Sequence, residues 1–281
     1  MSKPILVTGA SGVLGRAIVS AFSEAALPVR QGVRNPAKAK PGVDSVRWDY
    51  AEPATLAPAL AGVAGLLLMA PPLDPDAPAK LAPAIARANE AGVRHIVFVS
   101  AFGANHNEQA PLRVIEHSVM DSGLTCTILR PNFFMENFSE GFLAGAIKGQ
   151  HGIFLAAGDG KTSFISVRDI AVAALAAFEK PLAGRELDLT GPEALDHAQA
   201  AAILSEVSGR PIAYHPLSEE QMVAGARAAG VPEAAVGYMT VLYGVVRAGY
   251  AAGVTNDFEK IAGRRPTTFR EFAQANRAVW K

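Results

Sequence analysis

Val7-Thr8-Gly9-Ala10-Ser11-Gly12-Val13-Leu14-Gly15-Arg16 is the stretch whose reading decides the fold. The run Pro4-Ile5-Leu6-Val7 before it reads as a short buried strand, and Ala17, Ile18, Ala21 and Phe22 after it recur at helical spacing. The glycines therefore sit where a strand turns into a helix, the context that a dinucleotide fingerprint requires. Gly9 lets the chain leave the strand sharply, Gly12 has no Cβ to hold a pyrophosphate away, and Gly15 lets helix and strand pack closely. The N–H groups around Ser11, Gly12, Val13 and Leu14, with the positive end of the helix dipole, then face the phosphates. Thr8 and Ala10 belong to the same cofactor-binding turn.

Outward from this turn, strands and helices alternate, the pattern of a parallel sheet covered on both faces. Strands are expected at 27–33, 43–48, 64–69, 94–100 and 125–129, with helices at 54–60, 76–91 and 111–122. A helix is expected at 133–148, then a short strand at 153–155, an Ala-rich helix ending near Lys180, and a strand at 186–190. From 196 onward the pattern is mostly helical (196–208, 218–229, 232–252 and 268–279), with 212–215 between the first two. The fold class is α/β: a Rossmann-type doubly wound parallel sheet over 1–150, with a segment returning near 160–190. A smaller, mostly helical substrate lobe is expected over 191–281.

In such sheets ligands lie across the carboxyl ends of the strands. The second expected strand ends in Arg34, with Lys38 close behind, where a site for NAD commonly has a carboxylate for the ribose 2′-OH. Arg34 instead suits a 2′-phosphate, by a charge-assisted contact. NADP(H) is the favoured cofactor, and NAD(H) is not forbidden. Asp49 is a candidate for the adenine amino group or, equally, a simple turn residue. Met69, Ala70 and Pro71 are small or apolar residues past which the cofactor's ribose could run. Ser100 and Ala101, then Pro131 and Phe133, end the next two strands and complete the cofactor candidates. Phe102, Phe134, Met135 and Phe138 are candidates to stack on a flat substrate. Phe134 and Phe138, one helical period apart, are expected to share a face. Tyr238, Met239, Leu242 and Tyr243 are candidates for a far wall.

Among 281 residues, 26 Lys plus Arg balance 26 Asp plus Glu, so no net field favours nucleic acid or a membrane surface. Half the residues are hydrophobic and 19% charged, ample for a core and unlike a disordered chain. The lone cysteine, Cys126, stands in an apolar run and has no partner for an internal disulfide, which suits a reducing, cytoplasmic setting. No charged-then-apolar leader precedes the first strand, and the longest apolar stretch, near 63–72, is too short to span a bilayer. The six histidines, 95, 106, 117, 151, 197 and 215, show no ligand spacing, so no metal is expected. There is no Gly-x-Ser-x-Gly elbow for a hydrolase. A small-molecule substrate and a monomer or homodimer are the expected partnerships.

The chain resembles the NmrA-like branch of the atypical short-chain dehydrogenase/reductases, and within it the triphenylmethane reductases and bacterial NADPH:quinone oxidoreductases. The resemblance is carried by VTGASGVLG at 7–15, VRNPAK at 33–38 and the strand at 96–100. It continues through SGLTCTILRPNFFMENF at 122–138, FISVRDIA at 164–171 and the tail at 263–280. One departure matters. Superfamily members commonly use a serine with Tyr-x-x-x-Lys on the next helix for proton transfer. Ser100 stands at the serine position, but the helix reads Arg113-Val114-Ile115-Glu116-His117, and no tyrosine occurs between Tyr50 and Tyr214. His117, in the lysine's place, is a candidate ribose ligand or proton donor. The resemblance thus implies hydride transfer to acceptors that need little acid help, such as quinones, cationic dyes or iminium systems. The alternative it leaves open is a non-catalytic NADP(H) sensor of the NmrA type. A nucleotide-sugar epimerase or dehydrogenase fits the fold but lacks the acid.

Overall fold

The computed structural model describes residues 3–180 and 182–280. The first half runs β1 (Ile5–Val7), α1 (Val13–Glu24), β2 (Val29–Val33), β3 (Asp44–Arg47), α2 (Leu56–Leu60), β4 (Gly65–Met69), α3 (Ala77–Glu90), β5 (His95–Val99), α4 (Pro111–Met120) and β6 (Thr125–Pro131). It continues with α5 (Ala144–Gln150), β7 (Gly152–Leu155), α6 (Val167–Glu179), β8 (Glu186–Leu189), α7 (His197–Ser208) and β9 (Ala213–Pro216). The chain closes with α8 (Glu219–Ala228), α9 (Glu233–Arg247), α10 (Asp257–Ala262) and α11 (Phe269–Ala275).

Seven strands form one parallel sheet in the order β3-β2-β1-β4-β5-β6-β8. The order reverses between β1 and β4, which places the ligand-binding switch point at the turn after β1. Leu66, Leu67, Leu68, Ile96, Val97 and Phe98 are fully buried, as expected of central strands covered on both faces. One face packs on α1 and α6 through Val7, Ile18, Phe22, Val97 and Ile170. The other packs on α2, α3 and α4 through Leu6, Leu81, Phe98, Ile115 and Ile128. These two layers agree with the doubly wound sheet expected from the sequence.

A third cluster lies beside the sheet. It gathers Met135, Phe138, Ile147, Leu155, Phe164, Leu204, Tyr243, Phe269, Phe272 and Trp280, with β7 and β9 paired in a small parallel sheet of their own. Its packing does not follow the boundaries 150 and 191. Met135 through Leu155 join it from the amino-terminal side, while Phe258 and Ile261 of α10 return to the first layer. Among the described residues no helix is long and apolar enough to cross a membrane.

The expected helix at 133–148 is corrected. Its start is extended and pairs with Ile165, Met135 to Phe138 form a single 3-10 turn, and a true helix begins only at Ala144. The reason lies in the backbone partners. Ile165 N–H donates to the Phe133 carbonyl at 3.0 Å and Met135 N–H to the Ile165 carbonyl at 2.9 Å, so the ladder competes successfully with a helix.

Candidate functional site

The glycine turn is built by three different constraints. Gly9 has φ +61°, a conformation that a side chain disfavours. A Cβ on Gly15 would lie 2.2 Å from the Gly9 carbonyl oxygen and 2.7 Å from the Ala10 Cα, so only glycine fits. Gly12 is the exposed N-cap of α1 and no side chain caps the helix, which leaves its first-turn N–H groups facing outward. Leu14 and Ala10 bury their side chains in the core and Ser11 stays exposed. The result is an anion cradle made of backbone, fitted to a dinucleotide's pyrophosphate.

Around it the strand ends converge. Thr8 is fully buried, and its Oγ1 accepts from the Met69 N–H at 2.9 Å. Tyr50 donates to the Met69 carbonyl at 2.7 Å, and burial pushes its hydroxyl pKa up to about 12, so it stays a neutral donor. Tyr50 thereby pins the end of β4 beside Gly9, a role that sequence reading missed; the only signal was an aromatic just past β3. Asp49 Oδ1 accepts from the Ala51 N–H at 3.0 Å, the local turn that was the alternative to adenine recognition. Arg34 and Lys38 are exposed at the end of β2, and among the described residues no carboxylate pairs with either. Ala70, Pro71 and Ala101 are half-buried at the ends of β4 and β5, and Pro131 is buried at the end of β6.

Ser100 sits directly after β5 with its Oγ buried and without a hydrogen-bond partner. Its neighbour is Glu116 rather than His117. Glu116 is fully buried and bound by both Nε and Nη2 of Arg130 at 2.7 Å, and by Arg113 at 2.9 Å. Burial pushes the Glu116 carboxyl up, but the Arg130 and Arg113 guanidiniums outweigh it and hold the group below the usual carboxylate range. Arg130 also reaches Glu186 and lies 3.8 Å from Asp188. His117 and Arg113 are both tied to Glu108, at 2.6 and 3.1 Å. His117 is about half exposed, so the structure brings Ser100 and Glu116 together and turns His117 outward. Sequence reasoning missed Glu116 and Arg130 because their pairing joins α4 to β6.

The aromatic candidates divide. Phe133 is half-buried, with its ring 6.3 Å from that of Tyr243, which brings α9 over the end of β6. Phe102 is half-buried, and a Cβ on Gly253 would lie 2.9 Å from its ring, so the strap after α9 crosses it. Asn132 and Ser163 hold this strap through the carbonyls of Ala251 and Gly253, at 2.8 and 2.6 Å. Tyr243 itself is 3% exposed, while Tyr238, Met239 and Leu242 are half-buried on α9. Met135 and Phe138 are corrected: both are fully buried. The Phe138 ring packs edge-on against Phe164 and Phe269, so no substrate reaches it without unpacking the lobe. Phe134 packs instead against the first core layer, and the two rings do not share a face.

A backbone anion cradle at the switch point, bordered by an unpaired arginine after β2, is the geometry of a dinucleotide enzyme. The model of the NmrA-like family matches residues 1–273. The chain belongs to the NmrA-like family. An NAD(P)H azoreductase of Xenophilus azovorans is 36% identical over 289 aligned positions, covering 98% of this chain and 99% of that protein. The triphenylmethane reductase of a Citrobacter species, solved with NADP(H), superposes with a TM-score of 0.82 at 27% identity, covering 97% of this chain and 99% of that one. An NADPH-dependent quinone oxidoreductase of Escherichia coli, solved with NADPH, superposes with a TM-score of 0.83 at 29% identity, covering 96% and 99%. A nicotinamide-dependent oxidoreductase, expected from the sequence, agrees with all three.

Proposed function

We propose that this NmrA-like chain is an NADPH-dependent reductase of flat, conjugated acceptors of the quinone, azo or dye type. The observation that carries the cofactor half is Arg34, exposed after β2 with no carboxylate partner among the described residues. A guanidinium there meets a 2′-phosphate, whereas an Asp or Glu would repel it. When bound, the cofactor supplies the hydride.

The chain's own part is to bind, orient and exclude water. The N–H groups of Val13 and Leu14 hold the pyrophosphate, and Thr8 and Tyr50 fix the strand end along which the nucleotide lies. Phe102 and Phe133, under α9 and its strap, offer apolar surface for a planar acceptor and keep water from the reacting atoms. Ser100 offers a buried hydroxyl at the end of β5, beside Glu116, which two guanidiniums lock in place. With Arg113 in the tyrosine's place, acceptors that delocalise the incoming charge suit the site better than simple ketones.

The test follows NADPH and NADH oxidation at the nicotinamide absorbance, with a quinone, an azo dye and a triphenylmethane dye. Arg34→Ala is expected to raise the KM for NADPH by about 10- to 100-fold and leave NADH nearly unchanged, as expected for the loss of a charge-assisted phosphate contact. Arg113 and His117, both turned to Glu108, favour a second reading: an NADP(H) sensor. Tight NADPH binding with no turnover on any acceptor would select it.

A further inference from the structure

The first turn of α1 carries a cation where the helix dipole disfavours one. Arg16 donates from Nη1 to the Ser11 carbonyl at 2.8 Å and from Nη2 to Glu140 at 2.6 Å. Helical side chains tilt toward the helix N-terminus, which lays this guanidinium over the glycine turn. Its partner comes from the far side of the site. Glu140 follows the 3-10 turn at Met135–Phe138, and the N–H groups of Ser139, Glu140 and Gly141 all donate to one carbonyl, that of Glu136. Both charged side chains are about half exposed, at 53% and 47%, so their pairing is a weak competitor for a stronger anion. Ser139 and Leu143 are buried and anchor the two ends of the turn, but Phe142 between them is 57% exposed, so residues 140–142 are the part that the ion pair ties to α1.

We infer that Arg16 is a ligand of the cofactor's diphosphate held in reserve by Glu140, and that nucleotide binding takes the guanidinium away and frees residues 140–142. This rests on the dinucleotide reading of the glycine turn. A diphosphate carries more charge than one carboxylate and accepts the planar fork in two places. It also lies over the N–H groups that Arg16 already overhangs. The pair thus couples the phosphate end of the site to the segment that leads back to Phe133 and Phe134.

The experiment titrates NADPH, by its bound-state fluorescence, into the wild type, Arg16→Ala, Glu140→Gln and the double variant. Arg16→Ala is expected to weaken binding about tenfold, and Glu140→Gln to tighten it about threefold, the scale of a charge-assisted contact and of an exposed ion pair. On the Arg16→Ala background Glu140→Gln is expected to change nothing, because its effect runs through that one side chain. Equal tightening on both backgrounds would mean simple removal of a negative charge near an anion and would overturn the proposal. So would an unchanged affinity in Glu140→Gln alone. Hydrogen exchange at 140–142 is expected to rise when NADPH binds, and protection there would also overturn the coupling. A wild type that binds neither NADPH nor NADH would instead remove the dinucleotide reading on which the proposal stands.

Discussion

The turn at residues 9–15 and the segment at 133–143 meet across the Arg16–Glu140 pair, yet they are held by opposite means. The turn is held by the absence of side chains: a positive φ at Gly9 and backbone against backbone at Gly15. The segment is held by side chains reaching from far away in the chain. Glu136 accepts from the Ser166 hydroxyl at 2.8 Å and the Val167 N–H at 2.9 Å, and Trp280 donates to the Phe138 carbonyl at 2.9 Å. The first arrangement leaves backbone donors free for a ligand, while the second spends the Glu136 carboxylate and the Phe138 carbonyl on holding its place. The two regions therefore tolerate different kinds of change.

The sharpest way to break this contrast is at Gly15. Gly15→Ala puts a methyl 2.2 Å from a carbonyl oxygen that cannot move without β1. Loss of NADPH binding is expected, with destabilisation above about 3 kcal/mol in a urea melt, on the scale of an overpacked core. Gly12→Ala, where the nearest atom is 3.3 Å away, should fold and bind less well. Equal effects at the two positions would show that the turn is not shaped by close packing.

Next in size is Glu136, which is 7% exposed and caps the start of α6. Burial raises its pKa, and the Val167 and Ser166 hydrogen bonds only partly oppose this. Glu136→Ala leaves two donors unmet and is expected to lower stability by about 2–4 kcal/mol, while Glu136→Gln keeps one acceptor and should recover part of it. Thermal unfolding with and without NADPH would measure both. A loss confined to nucleotide affinity would place Glu136 with the turn rather than with the lobe.

The smallest effect is one of pH. His197, 3% exposed beside Phe138 and Phe164, has its pKa lowered to about 4 by burial. Its unfolded form binds a proton near pH 6.5, so the unfolded state holds more protons between those values. The stabilisation is complete above about pH 6.5 and is lost as the pH falls through 4. At pH 5 His197→Phe should regain roughly 2 kcal/mol relative to wild type, and close to nothing at pH 7. Denaturant melts at both values decide this, and an unchanged pH slope would assign the acid sensitivity to carboxylates.

The same contrast explains what the residues disclosed in advance. The glycine turn was legible because strand, turn and helix are consecutive, and each glycine answers a local need. Arg34 could be singled out as a candidate because its place follows from where β2 ends. Met135 and Phe138 were not, because spacing alone does not separate a core face from a pocket face; that depends on Phe164 and Phe269, distant in the chain. Glu116 was hidden for a related reason. It lies in an ordinary helical stretch, and only the folded sheet brings Arg130 to it. Helix α10, six residues with three charges, gave no periodic signal, although Phe258 and Ile261 belong to the main core.

That last helix has a consequence for the birth of the protein. The layer over β1 and β5 also needs Leu187 and Leu189 of β8 and the two apolar residues of α10, all made after the lobe residues 133–164. At roughly 5–20 residues per second on the ribosome, the glycine turn waits on the order of ten seconds or more after β6 emerges before its supporting layer is complete. During that interval the parallel sheet has an uncovered edge beyond β6 and half-clothed apolar strands, the state most open to aggregation. A nascent chain of this architecture is thus a natural client for chaperones until its final helices have been synthesised.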